Sequence, residues 1–264
     1  MTLFDPAEGA PRLERPVRVR ATVAYDGTGY SGFAVQAGHS RTIGGALTEA
    51  ISKVLGHPVD ITCAGRTDAG VHAWGQVISF DADEARLDLV ALARSVNKQL
   101  RPQITIRSIE CAPPDFSARF SATSRRYRYT VLNSPAPSPF LARTSWWIEN
   151  PLDLHGLRLA CDPLIGEHDF SSFCRRPNED ASLTRRVLDA RWETGDDDTL
   201  EFWIEANAFC HQMVRAIVGT LVDVGLGKKR AGDMTGILRA GDRSAAGQLA
   251  PPHGLCLWAV NYPV

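Results

Sequence analysis

Two kinds of apolar spacing take turns along this chain, and they do so twice in the same order. Val17, Val19, Ala21, Val23 and Tyr25 alternate with Arg18, Arg20 and Thr22, the period-two pattern of a strand with one buried face. The spacing then becomes helical: Ile43, Ala46, Leu47, Ala50, Ile51 and Val54 share a stripe, with Thr42 as cap and Gly56 as stop. Short strands are predicted at "PVDITCA" and "VHAWGQVISF". Asp88 then caps a second helix with Leu89, Leu92, Ala93, Val96 and Leu100 on one side. Pro102 closes that helix, and "ITIRSIE" reads as a strand. An order of strand, helix, strand, strand, helix, strand buries its apolar faces by laying two helices on one side of an antiparallel sheet.

The second half repeats that order loosely. "SRRYRYTVL" reads as a strand. Leu154, Leu157, Cys161 and Leu164 form a helical stripe interrupted by Pro163. "RVLDARWET" and "TLEFWIEAN" are strands joined by the turn "GDDD". "AFCHQMVRAIVGTLVDVG" reads as a long helix with Met213, Ile217, Leu221 and Val224 in register. A shorter helix near Met234 to Leu238 and a strand at "LCLWAV" complete the set. The fold class predicted is α+β: two ferredoxin-like (RRM-like) halves, their antiparallel sheets side by side, flanking a central cleft. Residues 1–16 read as a flexible N-terminal tail, 17–115 as the first half and 116–264 as the second. Element order alone carries this, since no residue-level repeat links the halves.

The 264 residues are 44% hydrophobic and 22% charged, enough apolar mass for a substantial core. No apolar run reaches transmembrane length, and the start lacks the basic and apolar regions of a secretory signal. The six cysteines are scattered without CxxC or metal-ligand spacing, which reads as reduced thiols in a cytosolic protein and no zinc site. A net charge of −1 does not announce a nucleic-acid binder, yet arginines are concentrated. "FSARFSATSRRYRYTV" carries Arg119, Arg125, Arg126 and Arg128 with no acid. "RRPNEDASLTRRVLDAR" carries Arg175, Arg176, Arg185, Arg186 and Arg191, diluted by Glu179, Asp180 and Asp189. Each run is either a solvated face or a track for phosphates.

The chemistry concentrates in "CAGRTDAGVHAWGQV". Gly65 and Gly70 let the chain around Asp68 bend tightly, so that a ligand could approach its backbone. Asp68 is a candidate nucleophile or general base; the competing reading is an Asx-turn, with Arg66 a surface charge. His72 has no partner at ligand spacing and reads as packed. "DGTGYSG" is not a phosphate-binding loop. In "RRYRY", Tyr127 and Tyr129 face one way and Arg126 and Arg128 the other; Tyr127 could stack on a base while the arginines meet phosphates, or the tyrosines could be core and the arginines solvated. Arg215 flanks the apolar stripe of its helix, as a surface arginine or as the partner of a carboxylate such as Asp68.

"AGRTDAGVHA", "FSARFSATSRRYRY" and "ANAFCHQMVRAIVG", with "GEHDFSSF" and "GLCLWAVNY", resemble the signature stretches of the tRNA pseudouridine synthase A family, in its order, from about Val17 to the C-terminus. The resemblance implies an isomerase that converts uridine to pseudouridine in the anticodon stem-loop of tRNA, at positions 38–40. It implies Asp68 as the nucleophile, Arg66 in base flipping, Tyr127 against the target base, and Arg215 paired with the catalytic carboxylate. Phe116, Ser117, Ala118, Arg119 and Phe120, Arg126 and Arg128, and Ser172 and Phe173 with the residues after them are the expected tRNA contacts. It further implies a cytoplasmic homodimer that works without cofactor, metal or membrane. The acid-diluted "RRPNEDASLTRR" and the N-terminal tail depart from the pattern.

In chemical terms, the target uracil must leave its stack, at a cost of about a few kcal/mol. Arg66 would fill the vacated space, and Asp68 must be ionised, a form that a guanidinium such as Arg215 favours. Attack on C1′, addition to C6 and deprotonation at C2′ all remain open to it. Two other functions fit the same residues: a non-catalytic RNA-binding or tRNA-chaperone module, and a pseudouridine synthase acting on another RNA.

Overall fold

In the computed structural model, which describes residues 13–35, 41–175 and 181–263, the chain divides into two units: Met1–Ala122 with Tyr262–Val264, and Thr123–Asn261. Most of the expected N-terminal tail (1–12) and part of the acid-diluted arginine stretch (176–180) lie outside the described residues. Among the described residues no helix is long and apolar enough to cross a membrane.

The first unit is built from β1 (Pro16–Tyr25), α1 (Ile43–Leu55), β2 (Thr62–Cys63), β3 (His72–Asp83), α2 (Leu89–Leu100) and β4 (Ile104–Cys111). The alternation in β1 does what it predicts: Val19, Ala21, Val23 and Tyr25 are buried. Both predicted caps form. Thr42 accepts the N–H of Gly45 at 3.2 Å, and Asp88 accepts that of Ala91 at 2.9 Å, each satisfying a donor that the helix itself leaves open. The strands run antiparallel in the order β4, β1, β3, β2, and α2 packs on β4 and α1. The predicted strand "PVDITCA" shortens to Thr62–Cys63, because Pro58 has no N–H and the Val59 N–H is taken by Ser52 Oγ at 3.0 Å.

The segment 116–122 packs within this first unit. The Ala118 N–H donates to Ser79 Oγ at 3.1 Å, and its carbonyl accepts the Tyr262 hydroxyl at 2.8 Å. Arg20 lies over the Tyr262 ring, 4.5 Å from its centroid.

The second unit contains β5 (Ser124–Asn133), β6 (Trp146–Ile148), α3 (Leu154–Leu159), β7 (Gly166–Asp169), β8 (Thr184–Thr194), β9 (Thr199–Ala206), α4 (Met213–Gly225), α5 (Asp233–Ala240) and β10 (Leu255–Asn261). The order across its sheet is β10, β5, β9, β8, β7, with β6 running parallel to the end of β5. The "GDDD" turn joins β8 to β9 with Asp197 and Asp198 at φ of 51° and 59°, the left-handed pair that a tight hairpin needs. Pro163 ends the helical stripe early, and Asp162–Leu164 becomes a single 3₁₀ turn.

The long helix starts later than its spacing suggests. Residues 208–212 are not helical, and Gln212 takes a left-handed φ of 65° at the head of α4. Tertiary contacts claim this stretch: Phe209 meets the Tyr127 ring edge-on, and the His211 carbonyl accepts the Arg175 N–H at 3.1 Å. Farther along, the chain at 248–250 crosses α4 closely. Ala250 exchanges two hydrogen bonds with Arg215, at 2.8 Å to its carbonyl from Nε and at 3.2 Å from its N–H to the Arg215 carbonyl.

That crossing yields a paired prediction. A Cβ at Gly219 on α4 would lie 1.7 Å from the Gln248 carbonyl oxygen, whereas Gly236 on α5 has nothing within 4 Å. Gly219→Ala is expected to lose about 1–3 kcal/mol in urea unfolding through overpacking. Gly236→Ala is expected to gain up to about 1 kcal/mol from helix propensity.

Candidate active site

Asp68 stands in a turn whose shape is set by backbone. The Val71 N–H donates to the Asp68 carbonyl at 3.1 Å. Gly70, two residues after Asp68, has φ of 77°, a value that an L side chain adopts only under strain. Asp68 is half-buried and Arg66 exposed.

The loop is clamped from beneath by Gln76, which is 0% exposed. Its Oε1 accepts the Gly65 N–H at 3.3 Å, and its Nε2 donates to the Gly65 carbonyl at 2.6 Å. Tyr25, also buried, shares a hydrogen bond of 2.8 Å between its hydroxyl and Thr67 Oγ1, and the Phe33 N–H donates to the Thr67 carbonyl at 3.0 Å. Two of the three residues before Asp68 are thereby held, Gly65 by an amide and Thr67 by a phenol and a backbone N–H.

"DGTGYSG" is the bed on which this loop rests. A Cβ at Gly27 would fall 2.1 Å from the Val71 carbonyl oxygen, so the two backbones approach as only glycine allows. His72 is buried, and its Nδ1 lies 3.1 Å from the Gly27 nitrogen and 3.1 Å from Asp26 Oδ1. This agrees with a packed histidine.

Burial pushes the Cys63 thiol up to about 11 against the opposing pull of the Arg66 and Arg119 charges. Arg119 also lies over Phe120, 5.2 Å from its centroid, and that ring is 80% exposed. Phe116 stacks on Tyr262 at 5.0 Å. Ala118 is fully buried, with its backbone engaged as described above, which removes its side chain from any tRNA contact.

In the second unit, Tyr127 on β5 is buried and propped by Phe209 at 5.0 Å between centroids. Arg215, on the first turn of α4, is half-buried and anchored through Nε to Ala250. The expectation that Arg126 and Arg128 present their charge to phosphates meets a competing use. Arg126 forks onto Glu205 Oε2 with Nε and Nη2 at 2.8 and 2.6 Å. Arg128 pairs with Glu201 at 2.9 Å and lies 4.2 Å from the Trp258 ring centroid. Ser172 and Phe173, expected to touch tRNA, are instead 0% exposed. A 3₁₀ turn tucks them inward, and Ser172 Oγ donates to the Ile237 carbonyl at 2.5 Å.

Gln76, Tyr25, Gly27 and Phe209 were not singled out by motif. One signal was present: Gln76 sits in a strand whose neighbours are nearly all apolar, and a buried amide must find partners.

With this geometry in place, comparison with known proteins is direct. The family model described as tRNA pseudouridine synthase matches residues 21–121 and 160–263. The chain is 39% identical over 246 residues to tRNA pseudouridine synthase A of Geobacillus sp. (strain WCH70), covering 93% of this chain and 98% of that protein. It is 42% identical over 250 residues to the protein of the same name from Frankia casuarinae, covering 94% and 90%. Among solved structures, the archaeal box H/ACA sRNP Nop10–Cbf5 complex aligns at 12% identity and a TM-score of 0.34, over 77% of this chain and 44% of the other. The protein is an isomerase that acts on uridine in tRNA. It belongs to the tRNA pseudouridine synthase family, among the synthases named A.

Two predictions follow from the hydrogen bonds. Gln76→Leu keeps the volume but strips Gly65 of both partners, so pseudouridine formation is expected to fall about 10²-fold, as a displaced reacting group does. Far-ultraviolet circular dichroism should show the fold retained. The second concerns Glu205, which is 8% exposed. Burial opposes its ionisation, but hydrogen bonds from Ser124, Arg126 and Asn261 and the Arg126 charge outweigh it and hold the carboxyl below its usual 4.5. The stability this contributes is complete above that usual value and is lost as pH falls through the lower folded value. In urea unfolding, Glu205→Gln should therefore be weaker than the parent at neutral pH, with the difference shrinking in acid.

Proposed function

We propose that Asp68 is the carboxylate that acts on the target uridine, in the anticodon stem-loop just 3′ of the anticodon. The loop geometry carries this reading: a half-buried acid, in a turn closed by its own backbone, held by Gln76, Tyr25 and Phe33. Such a loop keeps its course while the base turns, because its hydrogen bonds are made before the substrate arrives. Arg66, exposed two residues earlier, fills the gap left in the RNA stack. Tyr127, braced by Phe209, takes a face of the uracil. Arg215, anchored to Ala250, is carried over from the family resemblance as the arginine that serves the catalytic carboxylate.

The reaction breaks the bond from ribose C1′ to uracil N1, turns the base, and joins C1′ to C5, from which one hydrogen leaves as a proton while N1 takes one up. No net oxidation occurs, and the balance calls for no co-reactant. We assign the outer tRNA contacts to Arg66, Arg119 and Phe120, with Phe116 and Ser117 beside them. Arg126 and Arg128 spend their charge on Glu205 and Glu201 and are left out of that track.

Both units are proposed to be ferredoxin-like. What supports this is that each places its fourth core strand beside the first, then the third, then the second: β4, β1, β3, β2 in one and β10, β5, β9, β8 in the other. The homodimer and the cytoplasmic location are carried over from the family resemblance.

The decisive test is tritium release from tRNA labelled at uridine C5. Asp68→Asn should bind tRNA with nearly unchanged affinity and release no tritium. Turnover persisting in that variant would reject the assignment.

A further inference from the structure

The cysteines look scattered in the sequence, but the fold brings two of them together. Cys174 follows the 3₁₀ turn Ser171–Phe173, and Cys210 lies in the non-helical stretch ahead of α4. The Arg175 N–H donates to the His211 carbonyl at 3.1 Å, so the residues just after the two cysteines are joined through their backbones. The thiols themselves share a hydrogen bond, and both are free. Cys210 Sγ also lies 3.9 Å from the Leu183 carbonyl.

Their surroundings differentiate the pair. Cys174 is buried and Cys210 half-buried, so a small solute reaches Cys210 first. The hydrogen bond from Cys174 holds the Cys210 thiol below its ordinary range, against burial and with help from the Arg185 charge, while Asp169 opposes it. The same hydrogen bond, then burial, pushes Cys174 up. A more accessible, more acidic thiol beside a buried partner thiol is the arrangement of a redox-sensitive pair. The other buried thiol of this unit, Cys161, is pushed by burial up to about 12 and is inert by comparison.

We propose that Cys174 and Cys210 are a reversible modification site, a dithiol that hydrogen peroxide closes to an intramolecular disulfide and that small thiols reopen. The Cys210 thiolate attacks one peroxide oxygen, the O–O bond breaks, and hydroxide leaves, giving the sulfenic acid. Cys174 sulfur then attacks that sulfur, the S–O bond breaks, and water departs. In sum, two thiols and one peroxide give one disulfide and two waters. Closure also has a consequence, which rests on the function proposed for Tyr127. Cys210 is bonded directly to Phe209, the ring that props Tyr127, so drawing Cys210 onto Cys174 shifts that prop and lowers turnover.

The test uses the full, reduced chain treated with a stoichiometric amount of hydrogen peroxide, alkylated, and mapped by mass spectrometry. The expected result is one peptide pair joined through Cys174 and Cys210 and released by dithiothreitol, with exposed Cys111 still alkylated. Cys210 running on to sulfinic acid while Cys174 stays alkylated, or cross-links elsewhere, would overturn the site. Cys210→Ser, at the less buried position, should abolish the cross-link; if the cross-linked mass persists, the site is again overturned. Turnover on tRNA should fall several-fold in the disulfide form and return with dithiothreitol, and unchanged turnover would overturn the link to Tyr127. Because the cross-link is read by mass, it stands or falls independently of Asp68.

Discussion

Two hydrogen bonds at one buried amide, accepted and donated by Gln76 on the two sides of Gly65, set the geometry of the loop that carries Asp68. In a dry interior, an unmet N–H or carbonyl costs about 1–3 kcal/mol. The loop therefore cannot drift without forfeiting both contacts. Tyr25 and Phe33 fix Thr67 by the same logic, and Gly27 lets the far end of the turn settle against its bed. The result is a loop whose course is set by the scaffold, with the turn at Asp68 closed by its own backbone.

Charge in this protein is divided by use. The second unit spends two arginines internally, Arg126 on Glu205 and Arg128 on Glu201 and the Trp258 ring. The first unit pairs Arg18 with Asp81 and Arg20 with Glu110, while the Arg66 and Arg119 charges oppose the effect of burial on Cys63. A net charge of −1 thus conceals a local concentration of positive charge. That matters for an enzyme of tRNA, because neutralising phosphates releases counterions only where the cations are accessible.

Much of this architecture was legible in short-range pattern. The alternation of β1, the stripes of α1 and α2, and the caps Thr42 and Asp88 depend on neighbours within one turn or one pleat, and they appear where the spacing puts them. Elements that rely on distant partners were not legible. β6 exists because β5 offers it an edge, and β7 because β8 does. The stretch 208–212 has helical spacing yet is held open by Tyr127 and Arg175. Ser172 and Phe173 carried a motif that pointed toward RNA, but a turn folds them into the core.

The sequence by itself marked the candidates for the chemistry: an acid in a glycine-flanked loop, arginines close to it in the chain, and a tyrosine on a basic strand. These are matters of composition and local spacing. Only the tertiary structure decided which of the arginines are already bound to carboxylates, which glutamine holds the loop, and which two of six cysteines meet. The reason is physical. A side chain's partners are chosen by the burial that sheet and helix packing impose, and that burial joins residues far apart in the chain, whose pairing no local pattern records.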